Sequence, residues 1–217
     1  MRLLLIRHGQ TPDNARGALG AVVPGPGLTP LGHEQAAAVP HALADETIEA
    51  IYVSTMLRTH ETAAPLASAL GMRPTELPGL REISAGSLEQ RSDEEAIRLY
   101  MGTIFSWADD TAGRVPDGES GDEFFDRYDD AIGRIASRHD GTVAVFSHGA
   151  AIRTWASWAS RNVGAEFSRA NHLENTAMVI LEGSPAEGWL TQQWADTPLG
   201  GVELEDVTAG DPTGEAG

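Results

Sequence analysis

The sequence predicts an α/β fold, with a mostly parallel central sheet flanked by helices in a three-layer α/β/α arrangement. Three observations lead there. Leu3-Leu4-Leu5-Ile6 and Val143-Ala144-Val145-Phe146 are short apolar runs without polar alternation, the pattern of strands buried on both faces inside a parallel sheet. Between them lie stretches with helix caps and apolar faces. Each run also stops abruptly, at Arg7-His8-Gly9 and at Ser147-His148-Gly149, and open α/β sheets bind ligands beyond the carboxyl ends of such strands. The two His-Gly ends are expected to be neighbours, with both imidazoles facing one site.

The elements follow in order. Residues 12–28 are rich in Gly, Pro and Ala, with Pro24-Gly25-Pro26-Gly27 as the extreme, and predict a loop. Thr29 suits a helix N-cap and Pro30 the first helical position; apolar residues continue to Leu43, and Pro40 is expected to kink or restart the helix. Residues 49–53 read as a strand and 56–70 as a helix ended by Gly71. Residues 72–90 are irregular, 92–107 helical and 109–121 a loop. Ser120 starts a helix reaching about residue 138, with Asp122 and Glu123 favourable in its first turn. A helix over 150–161 follows the second marker strand, and 177–182 with 189–194 form a closing antiparallel pair. Residues 196–217 hold six acidic and no basic residues among many Gly and Pro, the composition of a solvated tail, which either lies near the site or is free. The expected organisation is a single domain over 1–195 and an acidic tail over 196–217.

Composition bounds the function. A chain of 217 residues suits one domain burying about 70% of its unfolded surface. The absence of cysteine excludes disulfides, thiolate metal sites and cysteine nucleophiles. A net charge of -17 argues against nonspecific binding to nucleic acid or an anionic membrane, because the summed field repels polyanions. A small phosphorylated substrate stays compatible where cations cluster locally. All 15 basic residues are arginine, so every such contact is a planar, permanently charged fork. No apolar run reaches membrane-span length. The first strand follows Met1-Arg2 directly, without a cleavage site, so a removed signal peptide is not expected and a cytoplasmic location is. Nothing indicates the oligomeric state; a homodimer is one option.

Arg7-His8-Gly9-Gln10-Thr11 with Asn14 resembles the R-H-G-[EQ]-[TS]-x-x-N signature of the histidine phosphatase superfamily, in its phosphoglycerate mutase-like branch. Further matches follow in order: Leu28-Thr29 with Gly32, Gln35 and Ala36; Ser54 with Arg58, Thr62 and Ala63; Leu80-Arg81-Glu82; Gly118-Glu119-Ser120; Ser147-His148-Gly149; and Asn175. The resemblance spans residues 3 to about 194 and implies a phosphoglycerate mutase-like fold. It implies that His8 is a nucleophile forming a phosphohistidine, which splits one hard step into two. Arg7, Arg58 and His148 would hold the phosphoryl oxygens, guanidinium forks matching phosphate geometry. Asn14 would add a neutral donor, with Gly149 beside the second histidine as part of the phosphate-binding set. Glu82 would be the general acid and then base, which requires a raised pKa. The scheme needs no metal and no cofactor.

Three readings compete. A phosphomonoesterase is favoured. The cofactor-dependent phosphoglycerate mutases of the family carry an adjacent arginine pair and a lysine for the substrate carboxylate, whereas this chain has no adjacent arginines between Glu82 and His148 and no lysine. A catalytically silent module recognising phosphorylated partners is the reading of another class, and such modules commonly lose the nucleophile that His8 supplies here. Glu119 and Glu89 compete with Glu82 for the acid role. His33-Glu34 begins like the zinc motif H-E-x-x-H, but Ala37 stands where its second histidine belongs. His33 reads as structural, His41, His60 and His139 as helix-surface residues, and His172 as one that could approach a pocket wall. Trp155 and Trp158 read as core. Residues 84–118 are the expected specificity segment, where Tyr100, Phe105 and Trp107 either line an apolar leaving-group pocket or belong to the core.

Overall fold

The computed structural model describes residues 1–208 and 210–214. Its strands are β1 (Arg2–Arg7), β2 (Ile48–Val53), β3 (Thr75–Glu76), β4 (Thr142–Ser147), β5 (Met178–Ser184) and β6 (Gly188–Trp194). They form one sheet in the order β3-β2-β4-β1-β5-β6. The first four run parallel, while β5 pairs antiparallel with both β1 and β6. The helices are α1 (Pro12–Ala15), α2 (Pro30–Ala42), α3 (Leu57–Leu70), α4 (Glu94–Ser106), α5 (Gly121–Ala136), α6 (Gly149–Ala159) and α7 (Ala165–Ala170).

Both marker strands are buried on both faces, as unbroken apolar runs require. Leu3, Leu5, Val143 and Val145 meet the α4, α5 and α6 side, where Tyr100, Phe124, Tyr128 and Trp155 are buried. Leu4, Ile6, Ala144 and Phe146 meet Val39, Ala63 and Leu66 of α2 and α3 on the other. The expected three-layer α/β/α architecture with a mostly parallel sheet is the observed one.

Register positions the site. Arg7 pairs with Ser147 across β1 and β4, and Val53 with Phe146 across β2 and β4. Three adjacent parallel strands therefore end level with one another, delivering His8, Ser54 and His148 to a single edge. The local signals behave as physics asks: Thr29 caps α2 through the Gly32 N–H, Ser120 and Glu123 form a reciprocal capping box on α5, and Gly71 closes α3 at φ 64°.

Several local expectations are corrected. Helix α2 runs unbroken through Pro40, so the restart, one of the two expected outcomes, does not occur. The proline lies in the last turn, where Leu43 N–H bonds to Val39 O and closes the helix around the missing donor. The loop after β1 contains the single turn α1, and the irregular stretch after α3 contains β3, a two-residue edge strand on β2. Helix α7 had no assignment in sequence. Trp158 is 49% exposed while Trp155 is 1% exposed. Residues three apart are rotated about 60° around a helix, enough to carry Trp158 off the core face and onto the Phe125 ring at 4.4 Å.

Candidate active site

The nucleophile candidate sits where β1 ends. The His8 N–H bonds to Ser147 O of the neighbouring strand, and the His8 carbonyl accepts from Thr176 N and from Asn175 Nδ2. Thr176 holds φ 59°, a left-handed conformation that β-branched residues rarely adopt. Such outliers gather where surrounding structure fixes a functional backbone. The His8 Nδ1 lies 2.8 Å from the Gly9 carbonyl. A carbonyl only accepts, so Nδ1 carries the proton and Nε2 keeps its lone pair. Burial, reinforced by the Arg58 and Arg7 cations, holds the His8 pKa well below its ordinary value. The imidazole is neutral, the form that can attack.

His148 lies with its ring 5.2 Å from that of His8. Its Nδ1 accepts from Arg58 Nε at 3.1 Å, and its Nε2 meets Ser54 Oγ at 2.8 Å. Burial first, then Arg58, lowers its pKa well below the ordinary value. The second histidine is thus a neutral brace that fixes the Arg58 fork, whose Nη2 donates to Gly20 O at 2.9 Å.

Glu82 reaches the site from the segment after β3. Its carboxylate accepts from Ile83 N at 2.8 Å, Ala150 N at 3.2 Å and Ala151 N at 2.9 Å, two of these in the first turn of α6. Burial raises its pKa, outweighing the opposing pull of those N–H groups and of Arg58. The competing acids are occupied elsewhere. Glu119 forms a two-point pair with Arg127 and accepts from Ser84 N, while Glu89 accepts from Ala21 N. Arg127 also donates to the carbonyls of Gly79, Arg81 and Glu82, so the Glu119–Arg127 pair clamps the acid loop in place.

A small pocket lies among His8, Asn14, Arg58 and Glu82, with Thr11, Asp13, Ala18, Gly20 and Thr213 completing its wall. Structure therefore brings together His8, Glu82, Asn14 and Arg58 at one cavity, with His148 directly behind Arg58. Arg7 is fully buried beside the cavity: it donates to Leu173 O at 2.7 Å and to Thr213 Oγ1, a cavity-wall residue, at 3.1 Å, and it pairs with Asp211. Gly149 fits beneath them, since a β-carbon there would stand 2.7 Å from Thr213 O and 3.0 Å from Arg7 Nε.

The model of the histidine phosphatase superfamily (branch 1) matches residues 3–197. The chain belongs to that superfamily. It is 33% identical to the PE-PGRS family protein PE_PGRS11 of Mycobacterium tuberculosis, over 92% of this chain and 37% of that longer protein. It is 30% identical to a probable phosphoglycerate mutase GpmB of Serratia proteamaculans, covering 96% of this chain and 97% of that one. It is also 30% identical to a metal-independent phosphoserine phosphatase of Arabidopsis thaliana, over 89% and 81% of the two chains. Among solved structures, a mycobacterial glucosyl-3-phosphoglycerate phosphatase superposes with a TM-score of 0.76 at 23% identity, over 90% of this chain and 99% of that one.

In this histidine phosphatase superfamily member, the acidic C-terminal segment departs from the solvated tail that its composition predicts. Asp211 is 6% exposed and Thr213 lines the cavity beside His8. Arg153 Nη1 donates to Thr213 O at 3.2 Å, Leu173 N to Gly214 O at 2.9 Å, and Gln10 Nε2 to Asp206 at 2.7 Å. Buried arginines hold the segment, and no composition rule reports their position. The aromatics of the expected specificity segment lie elsewhere. Tyr100 and Trp107 are core residues, donating to Ile83 O and Gly113 O respectively, and Phe105 lies under the Arg169 guanidinium. Sequence reasoning missed Asp13, Thr62 (whose Oγ1 accepts from Gly9 N), Arg127 and Asp211. Thr62 alone had a signal, its place in the Ser54–Arg58–Thr62 series. Among the described residues no helix is long and apolar enough to cross a membrane.

Proposed function

We propose that this chain hydrolyses small phosphomonoesters through a phosphohistidine on His8, with Glu82 as general acid and then general base. The observation that carries this reading is the Nδ1 anchor on the Gly9 carbonyl, which leaves an unprotonated Nε2 beside Arg58 and Glu82. The His8 Nε2 lone pair forms a bond to phosphorus as the P–O ester bond breaks. That electron pair goes to the leaving oxygen, which takes the Glu82 proton. The resulting carboxylate then accepts a proton from water, whose oxygen attacks phosphorus and breaks the P–N bond, returning neutral His8 and phosphate. Arg58, held by His148, balances charge on the phosphoryl oxygens, and Asn14 donates to them. Arg7 and the Gly149 end of α6 add to the same electropositive field. The substrate is a small ester, and neither nucleic acid nor membrane is a partner.

Rapid quench with a phosphoester should trap an acid-labile, base-stable phosphoryl label on His8, absent in His8→Ala. Retained turnover by His8→Ala would sink the assignment. Bisphosphoglycerate-dependent interconversion of phosphoglycerates, with negligible phosphate release, would instead establish the mutase reading. Stoichiometric binding of a phosphoester with neither label nor turnover would establish a silent module.

A further inference from the structure

We infer that Asp13 is a specificity-determining residue: its carboxylate selects leaving groups carrying a hydrogen-bond donor, above all an ammonium, near the ester oxygen, and rejects leaving groups carrying an anion. This rests on the phosphatase reading above and names the substrate class of that same site.

Asp13 lines the catalytic cavity with His8, Arg58 and Glu82, although its α1 position gives no sequence reason to expect it there. It is 7% exposed, an unusual place for a carboxylate beside a pocket proposed to take a dianion. Three features hold it. Arg16 Nη2 donates to Oδ1 at 2.6 Å, and Gln90 Nε2 donates to Oδ2 at 3.2 Å. Gly20 abuts Oδ2 so closely that a β-carbon there would overlap it. Gln90 itself holds φ 62°, a conformation uncommon outside glycine, and its side chain is the one that reaches Asp13. The Gly20 carbonyl on the other side accepts from Arg58, so the carboxylate and the phosphate-facing cation are locked to one loop.

An ionised carboxylate offers about four acceptor positions, and the two bonds above use two of them. Arg16, which neutralises part of the charge, keeps a side chain 56% exposed and is not part of the cavity wall. The face turned to a bound ester is therefore an acceptor. Asp13 thus forms one rim of the cavity that Arg58 also lines. A phosphoryl group held by Arg58 places its leaving group against this rim. A donor there finds a partner, and an anion meets like charge in a desolvated setting, which discriminates by repulsion as much as by attraction.

Three esters with two-carbon leaving groups isolate the effect: phosphoethanolamine, 2-hydroxyethyl phosphate and phosphoglycolate end in an ammonium, a hydroxyl and a carboxylate. The readout is the ratio of their kcat/KM values, which does not depend on the fraction of active enzyme. Wild type should rank ammonium over hydroxyl over carboxylate. Asp13→Asn, which keeps shape, should compress the ammonium-to-carboxylate ratio by about tenfold or more. Arg16→Gln unmasks the same carboxylate and should widen that ratio, so it tests the assignment even where Asp13→Asn folds poorly. A wild-type preference for phosphoglycolate overturns the proposal. So does a ratio unchanged in both variants, or turnover of p-nitrophenyl phosphate with none of the three. Absence of phosphate release from all four esters, or their hydrolysis by His8→Ala, is a different result and sinks the phosphatase reading itself.

Discussion

Glu82→Gln separates acid–base chemistry from architecture at this site. The carboxylate accepts three backbone N–H bonds, from Ile83, Ala150 and Ala151. The carboxamide keeps its size and one oxygen, so Ile83 and Ala151, which share Oε1, remain satisfied, and only the Ala150 donor at 3.2 Å loses its acceptor. Burial penalises the ionised form, so removing the charge offsets that loss and the variant should fold. What disappears is the proton. A positioned acid is worth roughly 10²–10⁴-fold, or about 2.7–5.5 kcal/mol of barrier. The loss should fall mainly on alkyl phosphates, because p-nitrophenol departs readily without protonation. The pH profile carries the same signature. Glu82 must be protonated at the first step, so activity falls as pH rises through its elevated pKa, while His8 sets an acid limb below 6.5, its pKa being held under the ordinary value. Stopped-flow and steady-state rates across pH, on both ester types, should show the alkaline limb lost in Glu82→Gln. An unchanged alkaline limb, or equal losses on alkyl and nitrophenyl esters, would refute the assignment.

Other outcomes follow from the same geometry. Arg58→Ala should lower kcat by roughly 10²–10³-fold, as for loss of one preorganised donor, and should free His148, visible as an upward shift of its NMR titration. Trp107→Ala should cost about 3–5 kcal/mol in denaturant unfolding, the range for emptying a large aromatic site, since Trp107 is fully buried and stacked on Phe124; leaving-group ranking should not change. Asp211→Asn should tighten inhibition by orthophosphate by about tenfold, because Arg7 loses its internal counter-ion; weaker inhibition would mean that Asp211 orients Arg7 for phosphate instead.

The parts legible in sequence share one property: their physics is local to a strand or a helix. Two apolar runs buried on both faces and broken by His-Gly announce parallel strands with chemistry at their ends, and Thr29, Ser120 and Gly71 announce caps. Glu82 could not be ranked above Glu119 by composition, because what separates them is Arg127 on α5, which pairs with the Glu119 carboxylate but meets Glu82 at its backbone carbonyl. Asp211 read as solvated because an acidic Gly/Pro segment cannot bury itself. It is buried here beside Arg7 of β1, which pairs with it, and it accepts from Thr213 as well. Asp13 gave no signal, since its role depends on a left-handed Gln90 in another loop.

The placement of β4 has a consequence for how the molecule comes into being. The strand lies between β2 and β1, so the sheet cannot close, and the two imidazoles cannot meet, until a segment late in the chain threads between two early ones. Asn175, braced on the His8 carbonyl from 167 positions away, comes later still. Long-range pairing of this kind slows folding, because loop closure must precede its reward. The flanking pair α2 and α3 can dock while His8 still hangs from an unpartnered strand. In a refolding experiment, helical signal should therefore return first and phosphate binding last, with the cleft around His8 and His148 as the seam along which the protein finally closes.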